Sequence, residues 1–297
     1  MSGGWVVCAF AEDGPAAARL AGALALPCQI AECHCFPDGE SRVRIDPVPA
    51  RAVLYRALHR PNQKLIELLL LSSVLCESAG TRPILVAPYL PYMRQDVAFR
   101  SGEAVSQQVI GRLLAAPHRA VITVDPHLHR AASLAAVLPT TAAVTVSAAP
   151  LLAAAIEHGG EPPVLIGPDS ESEPLVAAVA RHAGLPFRIL EKMRRGDHDV
   201  SIAAAALDLI RGRRAVLVDD IVSTGGTLIE AARHLRSTGC AVIEALVVHA
   251  LFDDTAAAAR AAPGIERVRS SDSVPHPSNA IALAPALAAA AQVAMLS

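Results

Sequence analysis

Aromatic residues are scarce in this sequence: Phe, Tyr and Trp together make up 3% of 297 residues, with a single Trp. So few rings leave little surface on which the bases of a nucleic acid could stack, and a formal net charge of −2 gives no general attraction for a polyanion. No nucleic-acid partner is expected, and a small polyanionic ligand must be held by local cations. Cysteine is thin as well. Cys8, Cys28, Cys33, Cys35, Cys76 and Cys240 are too few and too scattered for a disulfide scaffold, which predicts reduced thiols and a cytoplasmic protein. Cys33-His34-Cys35 has metal-ligand chemistry, but strand alternation sends His34 to the face opposite its neighbours and no second ligand pair follows, so no zinc site is expected. Long apolar runs are missing too. The Ala-rich C-terminal stretch is interrupted by Pro285 and reads as a packed helix rather than a membrane span, and the opening Met-Ser-Gly-Gly-Trp has no basic region to suggest a secretory leader.

Small aliphatic side chains fill the gap, since 53% of the residues are hydrophobic. The length suits two ordinary domains with ample cores. Strand-like runs recur at Trp5–Phe10, Ala52–Tyr55, Pro83–Ala87, Ala120–Val124, Val164–Ile166, Ala215–Val218 and Ala241–Val248. Helical segments lie between many of them, notably Gln63–Ser78, Glu103–Ala115, Pro174–His182 and Leu228–Ser237. This alternation predicts an α/β fold with mainly parallel sheets. Pro83–Pro88 echoes Pro163–Pro168, and Val121–Asp125 echoes Ala215–Asp219, which predicts an internal repeat with domains at 1–146 and 147–297.

The most informative stretch is Ala215–Thr227. Four small or apolar residues read as a buried parallel strand, Asp219 and Asp220 sit where that strand should end, and Ser223, Thr224, Gly225, Gly226 and Thr227 form a loop before a helix. Leu228, Ile229, Ala232 and Leu235 give that helix one apolar face, and Gly239 is a suitable stop. A helix N-terminus offers unpaired N–H groups, and glycines let them approach a phosphate closely. The two carboxylates cannot face the phosphate, so they suit vicinal sugar hydroxyls or a metal ion. A phosphorylated sugar satisfies both halves. The loop lacks the lysine and spacing of a nucleoside-triphosphatase phosphate loop, and no Gly-x-Gly-x-x-Gly occurs.

Val218–Thr227 resembles the ribose-5-phosphate signature shared by type I phosphoribosyltransferases and phosphoribosyl-pyrophosphate synthetases (ribose-phosphate diphosphokinases). Other segments resemble the synthetases specifically. Phe36-Pro37-Asp38-Gly39-Glu40, by its own chemistry a reverse turn, is similar to their motif in which Phe and acids receive the adenine of ATP bound to a neighbouring subunit; this implies ATP contacts for Phe36, Asp38 and Glu40 and a homo-oligomer. The Pro-stiffened Pro88–Asp96 resembles their ATP-contacting segment and implies the same role for Arg94, Gln95 and Asp96. Asp125-Pro126-His127 resembles their aspartate-x-histidine, which gives His127 to metal-ATP, and Gly167-Pro168-Asp169 gives Asp169 to the metal. Lys192-Met193-Arg194, by composition an exposed basic loop, resembles the lysine-x-arginine whose cations face the transferred group, with Gly196 permitting lid motion. Asn279–Leu287 resembles the closing segment of the family.

Taken together, the resemblance implies two phosphoribosyltransferase-like domains and transfer of the diphosphoryl group of ATP, with Mg²⁺, to ribose 5-phosphate. Asp219 and Asp220 would hold ribose hydroxyls, Ser223–Thr227 the 5-phosphate, and Lys192 and Arg194 the transition state. Two departures stand out: Ser170-Glu171-Ser172-Glu173 replaces the glycines that cradle diphosphate in most members, and Arg130-Ala131-Ala132 replaces a Gln-Ile-Gln-like run. A base-specific phosphoribosyltransferase leaves the Phe36, Arg94 and Lys192 segments without work. A non-catalytic regulatory homologue is disfavoured by the retained Lys192 and Arg194 and favoured by Glu171 and Glu173.

Overall fold

The computed structural model describes residues 4–128, 130–157, 159–190, 210–252 and 264–297, and divides into two units, 1–146 with 283–297 and 147–282. The first unit holds a seven-stranded sheet of β1 (Trp5–Phe10), β2 (Cys28–Cys35), β3 (Ser41–Arg44), β4 (Arg51–Tyr55), β5 (Ile84–Val86), β6 (Ala120–Val124) and β7 (Ala142–Val146), in the order β3-β2-β1-β4-β5-β6-β7. Only β3 is antiparallel to its neighbour. Helices α1 (Gly14–Leu24), α2 (Pro61–Ala79), α3 (Ser106–Ala115) and α4 (Leu134–Val137) connect the strands.

Parallel strands covered on both faces need apolar residues at successive positions, which is why these runs read as continuous rather than alternating. Cys8, Phe10, Leu54, Leu85 and Val121 face one core with Leu65, Leu68, Leu71 and Leu75, spaced to share one side of α2. Each such leucine contributes about 1.5–3 kcal/mol by leaving water. Val7, Ala9 and Val53 are buried at the alternate positions, on the side where α1 lies. Against α1, and beside β5, β6 and β7, packs α8 (Ala284–Leu296), burying Leu287, Ala288, Ala291 and Ala294. The C-terminal helix therefore belongs to the first unit, whereas the sequence reading ran the second domain to 297. A helix with so many small apolar residues carries no local signal of which sheet it covers.

One buried histidine sets an acid sensitivity. The His118 ring is fully enclosed, with Nδ1 2.6 Å from the Leu114 carbonyl and Nε2 3.1 Å from Ser72 Oγ on α2. Burial holds its pKa down at about 4, against 6.5 for an ordinary histidine. The unfolded chain thus binds a proton between pH 6.5 and 4 that the folded chain refuses, so stability falls as pH falls through that window. Between pH 7 and 4.5 the stability advantage of the wild type over His118→Gln should shrink by about 2 kcal/mol in urea unfolding. A constant gap would show that the folded ring takes up its proton as readily as an ordinary histidine.

The second unit holds β8 (Val164–Gly167), β9 (Phe187–Ile189), β10 (Arg214–Val222), β11 (Val242–Ala250), β12 (Ile265–Ser271) and β13 (Asn279–Ile281), in the order β13-β12-β11-β10-β8-β9, every pair parallel. Its helices are α5 (Ala149–Ala154), α6 (Glu173–Ala183) and α7 (Gly226–Ser237). Leu228, Ala231, Ala232 and Leu235 of α7 pack onto Ala215, Leu217, Ala245 and Val247.

The two units repeat one plan in a register that the sequence echoes misplace. In each, the strand order reverses at one point, between β1 and β4 in the first and between β8 and β10 in the second. Topology therefore equates β8 with β1 and β10 with β4, not with β5 and β6 as the sequence echoes paired them. Local detail agrees: β1 runs into a short 3-10 turn (Ala11–Asp13) and α1 with Pro near its start, and β8 into Ser170–Ser172 and α6 with Pro near its start. Apolar strands resemble one another too easily to fix such a register.

Candidate active site

In an open parallel sheet, ligands bind beyond the carboxyl ends of the strands where the order reverses. In the second unit that place lies between β8 and β10, and the residues that the sequence assigns to a sugar phosphate stand at the carboxyl end of β10. Strand β10 continues past the acids to Val222, because its ladder with β11 runs on to Val222 opposite Ala250. Asp219 and Asp220 are thus within the final part of the strand rather than beyond it. Asp219 is buried and Asp220 half-buried. Each carboxylate accepts from the next backbone amide, Asp220 N to Asp219 Oδ1 at 3.0 Å and Ile221 N to Asp220 Oδ1 at 2.7 Å, which fixes the orientation of both.

The chain then turns through Ser223, Thr224 and Gly225 into α7. Gly225 has φ of +77°, a left-handed conformation that disfavours any residue with a Cβ, and it leads into the exposed Gly226 and Thr227 at the start of α7. Thr224 Oγ1 accepts weakly from Gly226 N at 3.4 Å, and the side chains of Ser223, Thr224 and Thr227 are exposed. An anion seated there meets hydroxyls, amide donors and the positive end of the helix dipole.

From β8 the chain passes through Gly167, where a Cβ would come within 2.5 Å of both Ile189 Cδ1 and Ser172 Oγ; the absent side chain allows the following turn to close. Asp169 caps that turn, its Oδ1 accepting from Glu171 N at 3.0 Å and Ser172 N at 3.2 Å. Its carboxylate is therefore held in one orientation at the carboxyl end of the strand beside β10. Glu171 and Glu173, the acids that replace glycines, are exposed. Strand β9 ends next to Gly167, whose carbonyl accepts from Leu190 N at 2.8 Å. Lys192 and Arg194 lie outside the described residues.

Sequence reasoning passed over one residue here. His249 on β11 stands opposite Ile221 of β10, almost wholly buried, with Nδ1 2.8 Å from Ser273 Oγ; that hydroxyl is 3.0 Å from the Val248 carbonyl. In that register His249 follows Val247, the partner of Asp219, by two residues, so the side chains of His249 and Asp219 belong to the same face of the sheet. A lone histidine in an apolar run gives no sequence signal beyond core packing.

The first unit carries the segments assigned to ATP. Phe36–Glu40 is the tip of the β2–β3 hairpin, closed by Phe36 N to Glu40 O at 2.7 Å and by Asp38 Oδ1 accepting Glu40 N at 3.1 Å. Phe36, Asp38 and Glu40 are exposed there, with Phe36 edge-on to the His34 ring. Arg94, Gln95 and Asp96 follow β5, and His127 follows β6. Strands β1 and β4 intervene between the hairpin and β5, so the unit does not bring the tip to Arg94. It does unite the other two segments. Gln95 is bound to the start of α3, its Oε1 by Ser106 Oγ and its carbonyl by Gln107 N at 3.2 Å. Asp96 is engaged by Arg130 Nη1 at 2.7 Å, three residues beyond the half-buried His127. Asp125, just before it, has φ of +31°, an unfavourable value for a residue with a Cβ and of a kind that collects at functional sites.

The reversal point of the first unit is different. Where β10 carries Asp219 in its final part, β4 is followed directly by Arg56, with no exposed surface, its Nη1 3.0 Å from Asp13 Oδ2 and 2.6 Å from Glu12 Oε1, and its Nη2 on Glu67. The guanidinium also lies 4.2 Å over the Phe10 ring, and Lys64 Nζ reaches Glu12 Oε2 at 3.2 Å. This crevice is filled by its own side chains.

Comparison with known proteins covers both units. A model described as the N-terminal domain of ribose phosphate pyrophosphokinase matches residues 6–117, and one described as a phosphoribosyl transferase domain matches 140–276. A ribose-phosphate pyrophosphokinase of Methanopyrus kandleri is 35% identical over 97% of this chain and 98% of its own. Ribose-phosphate pyrophosphokinase 2 of Archaeoglobus fulgidus is 36% identical over 80% of this chain and 82% of its own. The crystal structure of phosphoribosylpyrophosphate synthetase from Mycobacterium smegmatis shares the fold, with TM-score 0.84, 23% identity and 99% coverage of both chains. With family models over both units and a relative 35% identical along nearly the whole of both chains, the chain belongs to the ribose-phosphate pyrophosphokinase family.

Proposed function

We propose that this enzyme transfers the β,γ-diphosphoryl group of ATP to the 1-hydroxyl of ribose 5-phosphate, giving phosphoribosyl pyrophosphate and AMP. The observation that carries the reading is the turn after β10: two oriented carboxylates beside a hydroxyl-rich helix N-terminus, in a chain that also keeps the synthetase-type segments at Phe36, Arg94 and His127. The hydroxyl attacks the β-phosphorus in line and gives up its proton to solvent; the bond from that phosphorus to the α-phosphate oxygen breaks, and AMP carries the electron pair away. The protein needs no covalent intermediate. Its task is positioning and charge neutralisation.

Asp219 and Asp220 accept hydrogen bonds from the ribose 2- and 3-hydroxyls, while Ser223–Thr227 donate to the 5-phosphate. Arg94 and Gln95 take ATP phosphate oxygens, and Lys192 and Arg194 the charge that develops on the transferred group. Asp169 fits a hard cation such as Mg²⁺: it is a carboxylate whose direction two amides fix, and Mg²⁺ is ordinarily held by one or two carboxylates with water and substrate phosphates completing its shell. His127, a nitrogen donor, suits the phosphates around such a cation better than the cation itself. Bound with ATP, the metal would neutralise phosphate charge. The exposed Phe36 hairpin would complete the nucleotide pocket of a neighbouring copy, which makes the working form a dimer or larger. No helix among the described residues is long and apolar enough to cross a membrane, and a cytoplasmic setting is in keeping with six free thiols.

Purified protein mixed with ATP, Mg²⁺ and ribose 5-phosphate should release AMP and the diphosphorylated sugar in equal amounts, read by chromatography. AMP without the sugar product, or neither, would overturn the reaction.

A further inference from the structure

Arg130-Ala131-Ala132, a departure from the family pattern, has no part in the reaction described above, yet it provides the ion pair that joins the two nucleotide segments of the first unit. Arg130 Nη1 stands 2.7 Å from Asp96 Oδ1; the Asp96 side chain is 4% exposed and that of Arg130 61%. One partner is thus a nearly buried carboxylate and the other a cation reaching it from the solvent side. Both are mounted on fixed backbone. Leu128 and Ala131 pack against the core, Leu134 is buried in it, and Ser133 caps the short helix that follows. On the other side, Gln95 is tied to the start of α3, and Gln107 Nε2 donates to the Met93 carbonyl at 3.1 Å.

We propose that Arg130 is a positioning residue for the nucleotide: it neutralises Asp96 and holds the 88–96 loop so that the charge of Arg94 acts on the triphosphate. The inference rests on the diphosphokinase reading. Charge decides the matter. Arg94 and Asp96 lie two residues apart, well within the screening length of physiological salt, so their formal charges sum to zero as seen by a nearby polyanion. With Arg130 the sum becomes +1. Without it, a carboxylate poorly solvated in its own pocket faces the phosphates and cancels Arg94. A cation that only braced the loop would not have this second effect.

Three variants separate the two roles. ATP binding is measured by calorimetry with Mg²⁺ and no sugar, and Michaelis constants by steady-state assay. Arg130→Ala should weaken ATP binding about tenfold while the KM for ribose 5-phosphate stays within about twofold. Adding Asp96→Asn to Arg130→Ala should bring ATP affinity back to within about threefold of wild type, because the uncompensated charge is gone. Arg130→Lys, which keeps the charge without the fork, should fall between. ATP affinity of Arg130→Ala within about twofold of wild type, or a double variant no tighter than the single one, would overturn the proposal. Melting temperatures confirm folding, and Arg130→Gln substitutes if the alanine variant is unstable. Wild type that binds ATP but forms no sugar diphosphate would sink the reaction alone, since the calorimetric comparison still judges Arg130.

Discussion

Lys192→Ala should lower kcat about a thousandfold while the Kd for ribose 5-phosphate changes less than about twofold. The asymmetry follows from where charge appears. As the bond from the β-phosphorus to its bridging oxygen lengthens, negative charge gathers on the transferred group and on the departing AMP, and a cation aimed there helps the transition state more than the bound substrates. In the proposed reaction the sugar phosphate would be gripped elsewhere, by the amides and hydroxyls at the start of α7 and by the oriented carboxylates of Asp219 and Asp220. Lys192 lies two residues beyond Leu190, whose N–H is anchored to the carbonyl of Gly167. Single-turnover assay with saturating substrates gives the rate, and calorimetry with ribose 5-phosphate gives the Kd. Equal losses in both would mean that Lys192 serves the sugar and not the reacting group.

Arg56→Met should destabilise the protein by about 3–5 kcal/mol, the usual consequence of removing one member of a buried ion network and leaving the others uncompensated. Arg56 is shared by Asp13, Glu12 and Glu67, and no part of it reaches solvent. Burial raises the Asp13 pKa in spite of Arg56 beside it, whereas at Glu12 the two cations Arg56 and Lys64 outweigh burial and hold the carboxyl below its ordinary value. Losing the arginine leaves Asp13 with desolvation and without its main counter-ion, so it takes up a proton more readily. The folded variant then binds protons that the unfolded chain does not, and its deficit relative to wild type should narrow as pH falls toward 4.5. Urea unfolding of both proteins at pH 7.5 and 4.5 measures this. A loss under about 1 kcal/mol at pH 7.5 would show that the network is relieved by water or rearrangement. Adding Asp13→Asn and Glu67→Gln should recover part of the loss, because the stranded charges go with the cation.

The Ala215–Thr227 stretch was legible because its signal is local: apolar residues, acids, glycines and a helix start follow one another and need no distant partner. The α/β alternation was legible for the same reason, since β1, β4, β5, β6, β8, β10 and β11 each begin or end within a residue or a few of the apolar run that marks them. Strands β2, β3 and β7 are mostly exposed or half-buried, at the edge side of their sheet, and so lack the continuous apolar pattern. Which strand pairs with which, and hence the true register of the repeat, depends on contacts between distant segments. The extension of β10 to Val222 likewise depends on β11 lying beside it. Arg130 and Arg56 were opaque for a further reason: an arginine in a sequence does not say which carboxylate it will meet, and in both cases that partner is tens of residues away.

The filled crevice at the end of β4 bears on how this enzyme could evolve or be redesigned. A recess whose walls already satisfy one another has no vacancy to lend, so the amino-terminal half is not a dormant second seat waiting for a sugar. Opening it one residue at a time would pass through stranded ions at every stage. Only a concerted exchange of Glu12, Asp13, Arg56 and Glu67 for a neutral set could clear the space, which makes the difference between the two crevices hard to reverse.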